Sequence, residues 1–101
     1  MLATFTMVGR QVGTPSIQRI NGKNFCSITL ETERPFRTET GNLETDRFVI
    51  DVWRGIAEEC AASWHEGSVL VVRGRIETRS EEGKPHVRLI GEKVSLVREA
   101  Q

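Results

Sequence analysis

The chain has 101 residues, enough for one domain with one small core and too few for a second. Its 14 basic side chains match its 14 acidic ones, which excludes the long basic stripe of a protein that grips duplex nucleic acid by charge alone. No apolar run reaches the length of a membrane span, and the start from Met1 to Val8 lacks a signal-peptide pattern. Cys26 and Cys60 have no second Cys or His at ligand spacing, so a soluble, intracellular chain without metal site or disulfide framework is expected, its cysteines buried as small apolar residues.

Met1 to Arg10 is β-rich, and Ile17 to Ile20 resumes the pattern before Asn21-Gly22, a hairpin signal. The second strand is Phe25 to Glu33. Glu33 to Asn42 contains a proline and a Gly-Asn pair and reads as a long exposed hairpin loop, followed by a third strand from Thr45 to Trp53. Only Gly55 to Glu66 looks helical: Ile56, Cys60, Ser63 and Trp64 recur at spacings of three and four, and Gly67 supplies a stop. Val69 to Arg79 is the fourth strand, Ser80 to Pro85 a turn, and His86 to Arg98 the fifth strand with a bulge at Gly91. Five strands with one helix between the third and fourth predict an all-β, five-stranded OB-fold Greek-key barrel over residues 1–101. Such a barrel serves many functions, so the ligand has to be read from the residues of its face.

Strand side chains alternate, which puts Phe48, Ile50 and Val52 on one face and Arg47, Val49, Asp51 and Trp53 on the other. The first set suits the core, so Trp53 projects outward. In the fourth strand Leu70, Val72, Gly74, Ile76 and Thr78 face inward, leaving Arg73, Arg75 and Arg79 on one outer face, interrupted only by Glu77. Adjacent outward positions stand about 7 Å apart, a spacing suited to successive phosphates of an extended strand. Arg34-Pro35-Phe36-Arg37 sets an aromatic ring between two guanidinium groups, an arrangement able to hold a base and its phosphates. Trp64 belongs to the inner stripe of the helix, His65 and His86 to the surface, and Glu58 and Glu59 to a solvated helix face. No nucleophile, metal cluster or phosphate loop is present to suggest an enzyme.

The stretch Asp51-Val-Trp-Arg-Gly-Ile-Ala-Glu-Glu-Cys-Ala-Ala-Ser-Trp-His-Glu-Gly-Ser68, running into Val69-Leu-Val-Val-Arg-Gly-Arg-Ile-Glu-Thr-Arg79, resembles bacterial-type single-stranded DNA-binding proteins. Val8-Gly9-Arg10, Ile28-Thr29-Leu30 and Arg34-Pro35-Phe36-Arg37 extend the resemblance over nearly the whole chain. It implies a non-enzymatic protein that coats single-stranded DNA in replication, repair or recombination, without a cofactor, in the cytoplasm at the nucleoid, as a homotetramer or dimer. Trp53 and Phe36 align with aromatics of that family. Arg10, Arg34, Arg37, Arg54, Arg73, Arg75 and Arg79 complete the expected contact set, together with Arg47 and Phe48. Here the sequence departs from the family, which carries an aromatic where Arg47 stands; a local bulge would instead turn Phe48 outward. Another family aromatic falls near Glu81, in an acidic turn, and Glu66 and Glu77 replace common basic residues. Weaker binding than in a typical member is therefore expected, carried mainly by Phe36 and Trp53. The chain stops at Glu99-Ala100-Gln101, so either the sequence is cut short of the family's acidic tail for recruiting partner enzymes or no such tail is expected. The alternative expectation is an OB-fold interaction module, such as a primosome-like accessory subunit, with weak or no nucleic-acid binding.

Overall fold

Alternation of inward apolar and outward polar residues organises residues 1–99, the part that the computed structural model describes, into six strands and one helix. These are β1 (Thr4–Val12), β2 (Gln18–Ile20), β3 (Lys23–Arg37), β4 (Leu43–Trp53), α1 (Arg54–Ser63), β5 (Val69–Glu81) and β6 (Lys84–Arg98). Ala100 and Gln101, and with them the expected end without an acidic tail, lie outside the described residues.

Hydrogen bonding runs once round a barrel. β1 pairs with both β5 and β3, β5 with β6, β6 with β4, and β4 with β3, while β2 adds to the free edge of β3. Every pairing is antiparallel except that of β4 with β6, where only Ile50–Leu89 and Asp51–Ile90 face each other. This is the expected OB-fold, with α1 between the third and fourth barrel strands. The additional strand β2 arises because Gly13, at φ +73°, breaks the first strand, so that Gln18 to Ile20 can pair only across the Asn21-Gly22 turn. Both turn residues have positive φ, 51° and 77°, as a two-residue hairpin of matching twist requires.

Cys26, Ile28 and Leu30 of β3, Ile50 and Val52 of β4, and Leu70 and Val72 of β5 are completely buried, as the period-two reading of β4 and β5 predicts. Ala57 and Cys60 of α1 and the nearby Trp64 join this cluster. One close approach fixes the seam between β5 and β6: a Cβ on Gly74 would lie 1.8 Å from the carbonyl oxygen of Ile90. The register there slips, pairing Arg73 with Lys93 but Gly74 with Gly91, so the expected bulge falls at this point.

Three boundaries differ from expectation. Glu33 to Asn42 is not one long loop: β3 and β4 continue as a two-stranded ribbon beyond the barrel, closed by Thr38 to Asn42. The register shifts between Glu33 and Arg37, around Pro35, because proline has no N–H to give to the ladder. Similarly, β5 and β6 run up to a two-residue turn, Glu82-Gly83, both at positive φ. The helix stops at Ser63, before Gly67. Trp64 leaves it in extended conformation (φ −109°, ψ 134°) and drops into the core with 3% of its surface exposed. Gly67, at φ +90°, instead turns the chain into β5 and donates its N–H to the Gln11 carbonyl at 2.8 Å.

Candidate nucleic-acid interface

Strand register decides which outward side chains meet. Across β3 and β4 the outer face reads Phe25 opposite Trp53, Ser27 opposite Asp51, Thr29 opposite Val49 and Glu31 opposite Arg47. Ile90 of β6 lies beside Asp51 on one side and Arg75 of β5 on the other. At the ring end of this face Trp53 is half-buried, with its centroid 4.6 Å from that of Phe25 and the planes tilted by 51°. Beside it opens a groove of 510 Å³ lined by Lys23, Trp53, Arg54, Ile56, Arg75, Ile90, Gly91 and Glu92. Arg54 sits at φ +57°, a left-handed conformation unfavourable for a side chain with a Cβ, at the step from β4 into α1. An indole edge, two apolar walls and three cationic side chains thus share one opening.

The expected arginines fall into separate environments. Arg54 and Arg75 line the Trp53 groove, whereas Arg73 lines an adjoining depression with Thr4, Thr6 and Lys93. Arg79 lies toward the end of the β5–β6 hairpin, opposite His86. Arg10 is elsewhere, on β1, in a depression with Arg98 and Glu31. Arg73, Arg75 and Arg79 share a strand face as expected, with Glu77 interrupting them on that face. Arg75 donates to Glu77 and to Glu92, each at 3.2 Å. Arg47 donates to Glu31 at 3.0 Å.

The ribbon carries Phe36 with 64% of its surface exposed. Each arginine flanking this ring has a partner within the hairpin. Arg34 pairs with Glu44 and holds Asp46 through two hydrogen bonds of 3.0 Å. Those bonds keep the Asp46 carboxyl below the usual carboxylate range and push the Arg34 guanidinium above its ordinary value. Arg37 donates to the Gly41 carbonyl of its own loop at 2.9 Å. Phe48 is also corrected: the register through Phe48 and Leu30 is regular, so no bulge turns it to the Trp53 face. It keeps the inward parity of Ile50 and is 36% exposed, lining a notch with Arg47, Val49, Val87 and Arg88.

Phe25 is the ring that sequence reading missed. Its outward parity with Ser27, Thr29 and Glu31 was available in the alternation of β3, but its position opposite Trp53 depends on a register set by the distant hairpin. Lys23 and Ile90 were missed for the same reason. Glu58, expected on a fully solvated helix face, accepts a hydrogen bond from Asn24 and ties α1 to β3. The cysteines carry no comparable chemistry. Cys26 and Cys60 are free and buried with their Sγ atoms 3.9 Å apart, and burial, reinforced by Cys26, pushes the Cys60 thiol up to about 12. Among the described residues no group of three or more His, Cys, Asp or Glu side chains is placed to hold a metal ion, and no helix is long and apolar enough to cross a membrane.

Residues 2–96 match the family described as the single-strand binding protein family. The chain belongs to that family. A member from Oceanobacillus iheyensis, a single-stranded DNA-binding protein, is 35% identical over 85 residues, covering 83% of this chain and 53% of that protein. Single-stranded DNA-binding protein B of Bacillus subtilis is 34% identical over 82 residues, covering 80% of this chain and 73% of its own length. The chain spans about half the length of several such relatives. Among solved structures, the fold is similar to mitochondrial single-stranded DNA-binding protein Rim1 of S. cerevisiae, with a TM-score of 0.81 at 13% identity over 100% of this chain and 99% of that one. The second single-stranded DNA-binding protein of Mycobacterium smegmatis gives 0.72 at 18% identity, over 96% and 90% of the two chains. At these identities the structural likeness establishes the barrel, while family membership rests on the sequence match.

Proposed function

We propose that this chain binds single-stranded DNA without catalysis, seating an unpaired base in the Trp53 groove while neighbouring cations engage its phosphates. The observation that carries this reading is the groove itself, in which a half-buried indole backed by Phe25 meets the apolar Ile56 and Ile90 and the cationic Lys23 and Arg54. A net-neutral domain can hold single strands in this way because each stacked base contributes about 1–3 kcal/mol independently of charge. The names of the relatives supply the nucleic-acid class, and Arg54, Arg73 and Arg79, which have no carboxylate partner among the described residues, are the cations best placed to meet phosphate. Phe36 at the ribbon, the most exposed ring among the described residues, is a further one on offer.

Intrinsic fluorescence tests the reading directly. Trp64 is buried and serves as an unresponsive background, so oligo-dT should quench Trp53 emission at low salt and leave a Trp53→Phe variant nearly unchanged. Added salt should weaken the complex by releasing phosphate contacts. Absence of both quenching and gel retardation at low ionic strength would overturn it. A homo-oligomer, dimer or tetramer, acting in replication, repair or recombination at the nucleoid belongs to the same proposal. Its support is family membership and the exposure of Val8 (56%) on β1 and Val97 (57%) on β6. Sedimentation equilibrium at micromolar concentration checks it, with a monomer as the contrary result.

A further inference from the structure

The outward arginines of the barrel face are of two kinds. Arg54, Arg73 and Arg79 are free of carboxylates among the described residues, whereas Arg47 and Arg75 are each held by side chains from a neighbouring strand. Glu31 reaches Arg47 from β3, and Glu92 reaches Arg75 from β6, with Glu77 joining from β5 itself. These contacts flank the Trp53 face, and Glu92 lines the groove. They are open to solvent: Arg47 and Arg75 are 63% and 49% exposed. A phosphate can therefore reach either guanidinium, but the carboxylates already hold Nε of Arg47 and Nε and Nη1 of Arg75 and offset the charge it would meet.

We propose that Glu31, Glu77 and Glu92 are specificity-determining residues: by occupying Arg47 and Arg75 they deny a bare phosphate backbone its footing, so a strand is retained only if it also offers unpaired bases to Trp53. This rests on the single-strand reading above. A duplex presents the face with phosphates alone, and its affinity follows the number of available cations. A single strand adds stacking, which the carboxylates leave intact. The duplex is also the more responsive ligand, because each phosphate contact contributes about 0.9 to the salt slope on duplex and about 0.7 on a single strand.

The test compares E31Q/E77Q/E92Q, which frees both arginines, with E39Q/E59Q/E66Q, which removes the same charge from residues that hold no ion pair among the described residues. Thermal melts confirm that both fold, and the single substitution E31Q provides a milder variant that frees Arg47 alone. Each protein is titrated with a mixed-sequence DNA duplex and with oligo-dT of the same length. Taking up to roughly fivefold for each of the two arginines released, the first variant should gain up to about 25-fold on duplex, well above the control. Its preference for single strands should narrow by about threefold at roughly 50 mM salt. A duplex gain no larger than that of the control, or equal gains on the two ligands, overturns the assignment. Failure of the wild-type chain to bind oligo-dT would instead count against the single-strand reading, and the duplex titration would still decide the role of the carboxylates.

Discussion

Replacing Trp53 by alanine separates what the indole does for the fold from what it does for a ligand. In the free protein the ring is half-buried and leans on Phe25 at 4.6 Å. Truncating a fully buried aromatic costs about 3–5 kcal/mol, and an aromatic pair contributes about 0.5–1.5 kcal/mol, so a half-buried ring should cost roughly 2 kcal/mol of stability. The barrel should survive that loss, since none of the completely buried residues is touched. Loss of one stacked base should weaken oligo-dT binding by about 1–3 kcal/mol, or about 5- to 150-fold. Phe25→Ala should weaken binding less, because Phe25 acts by backing the indole, and adding it to Trp53→Ala should weaken binding no further. Fluorescence anisotropy with a labelled oligonucleotide measures affinity, and thermal melting measures stability. If Trp53→Ala binds within twofold of the wild type while melting lower, the indole is a packing residue and the stacking assignment is wrong.

Further predictions follow from backbone, thiols and charge. Gly74→Ala would drive a Cβ into the Ile90 carbonyl and should cost at least about 3 kcal/mol, visible as a melting temperature lowered by more than ten degrees or as loss of folded protein. Arg54→Gly relieves a left-handed backbone strain of roughly 1 kcal/mol, so the variant should melt several degrees higher while binding oligo-dT more weakly. Cys26 and Cys60 should resist thiol reagents in the native protein and react on denaturation, because both are buried and the Cys60 thiol is pushed up to about 12; rapid labelling without unfolding would contradict the burial. Asp46 has a carboxyl pKa lowered by Arg34, so its contribution to stability is present above the unfolded value near about 3.9 and is lost as pH falls through the lower folded value. Acid melts of Asp46→Asn should therefore lack that part of the decline.

The parts of the fold set by local chemistry were legible in the residues. Outward projection of Trp53 followed from the alternation Phe48 to Trp53, and the Asn21-Gly22 hairpin from the demand for two positive φ angles. The helix end was not, since Gly67 is a plausible stop and only tertiary packing draws Trp64 out of the helix into the core. The ribbon was hidden by Pro35, a strand breaker that the register accommodates by slipping. Electrostatics at the site was least legible of all. Glu31 and Arg47 are 16 residues apart and Arg75 and Glu92 are 17 apart, so whether each arginine is free or held depends on a register that alternation cannot supply.

The two-residue parallel contact between β4 and β6 makes the barrel a ribbon shut by a short clasp. Among the seams between barrel strands, local opening draws on the least-paired one, so amides bonded across it should exchange before those of the longer β1–β5, β3–β4 and β5–β6 seams. Ile90 belongs both to this clasp and to the wall of the Trp53 groove. A ligand seated there, as proposed, would brace the closure and link occupancy thermodynamically to barrel integrity: the more firmly a strand were held, the less often the clasp would spring.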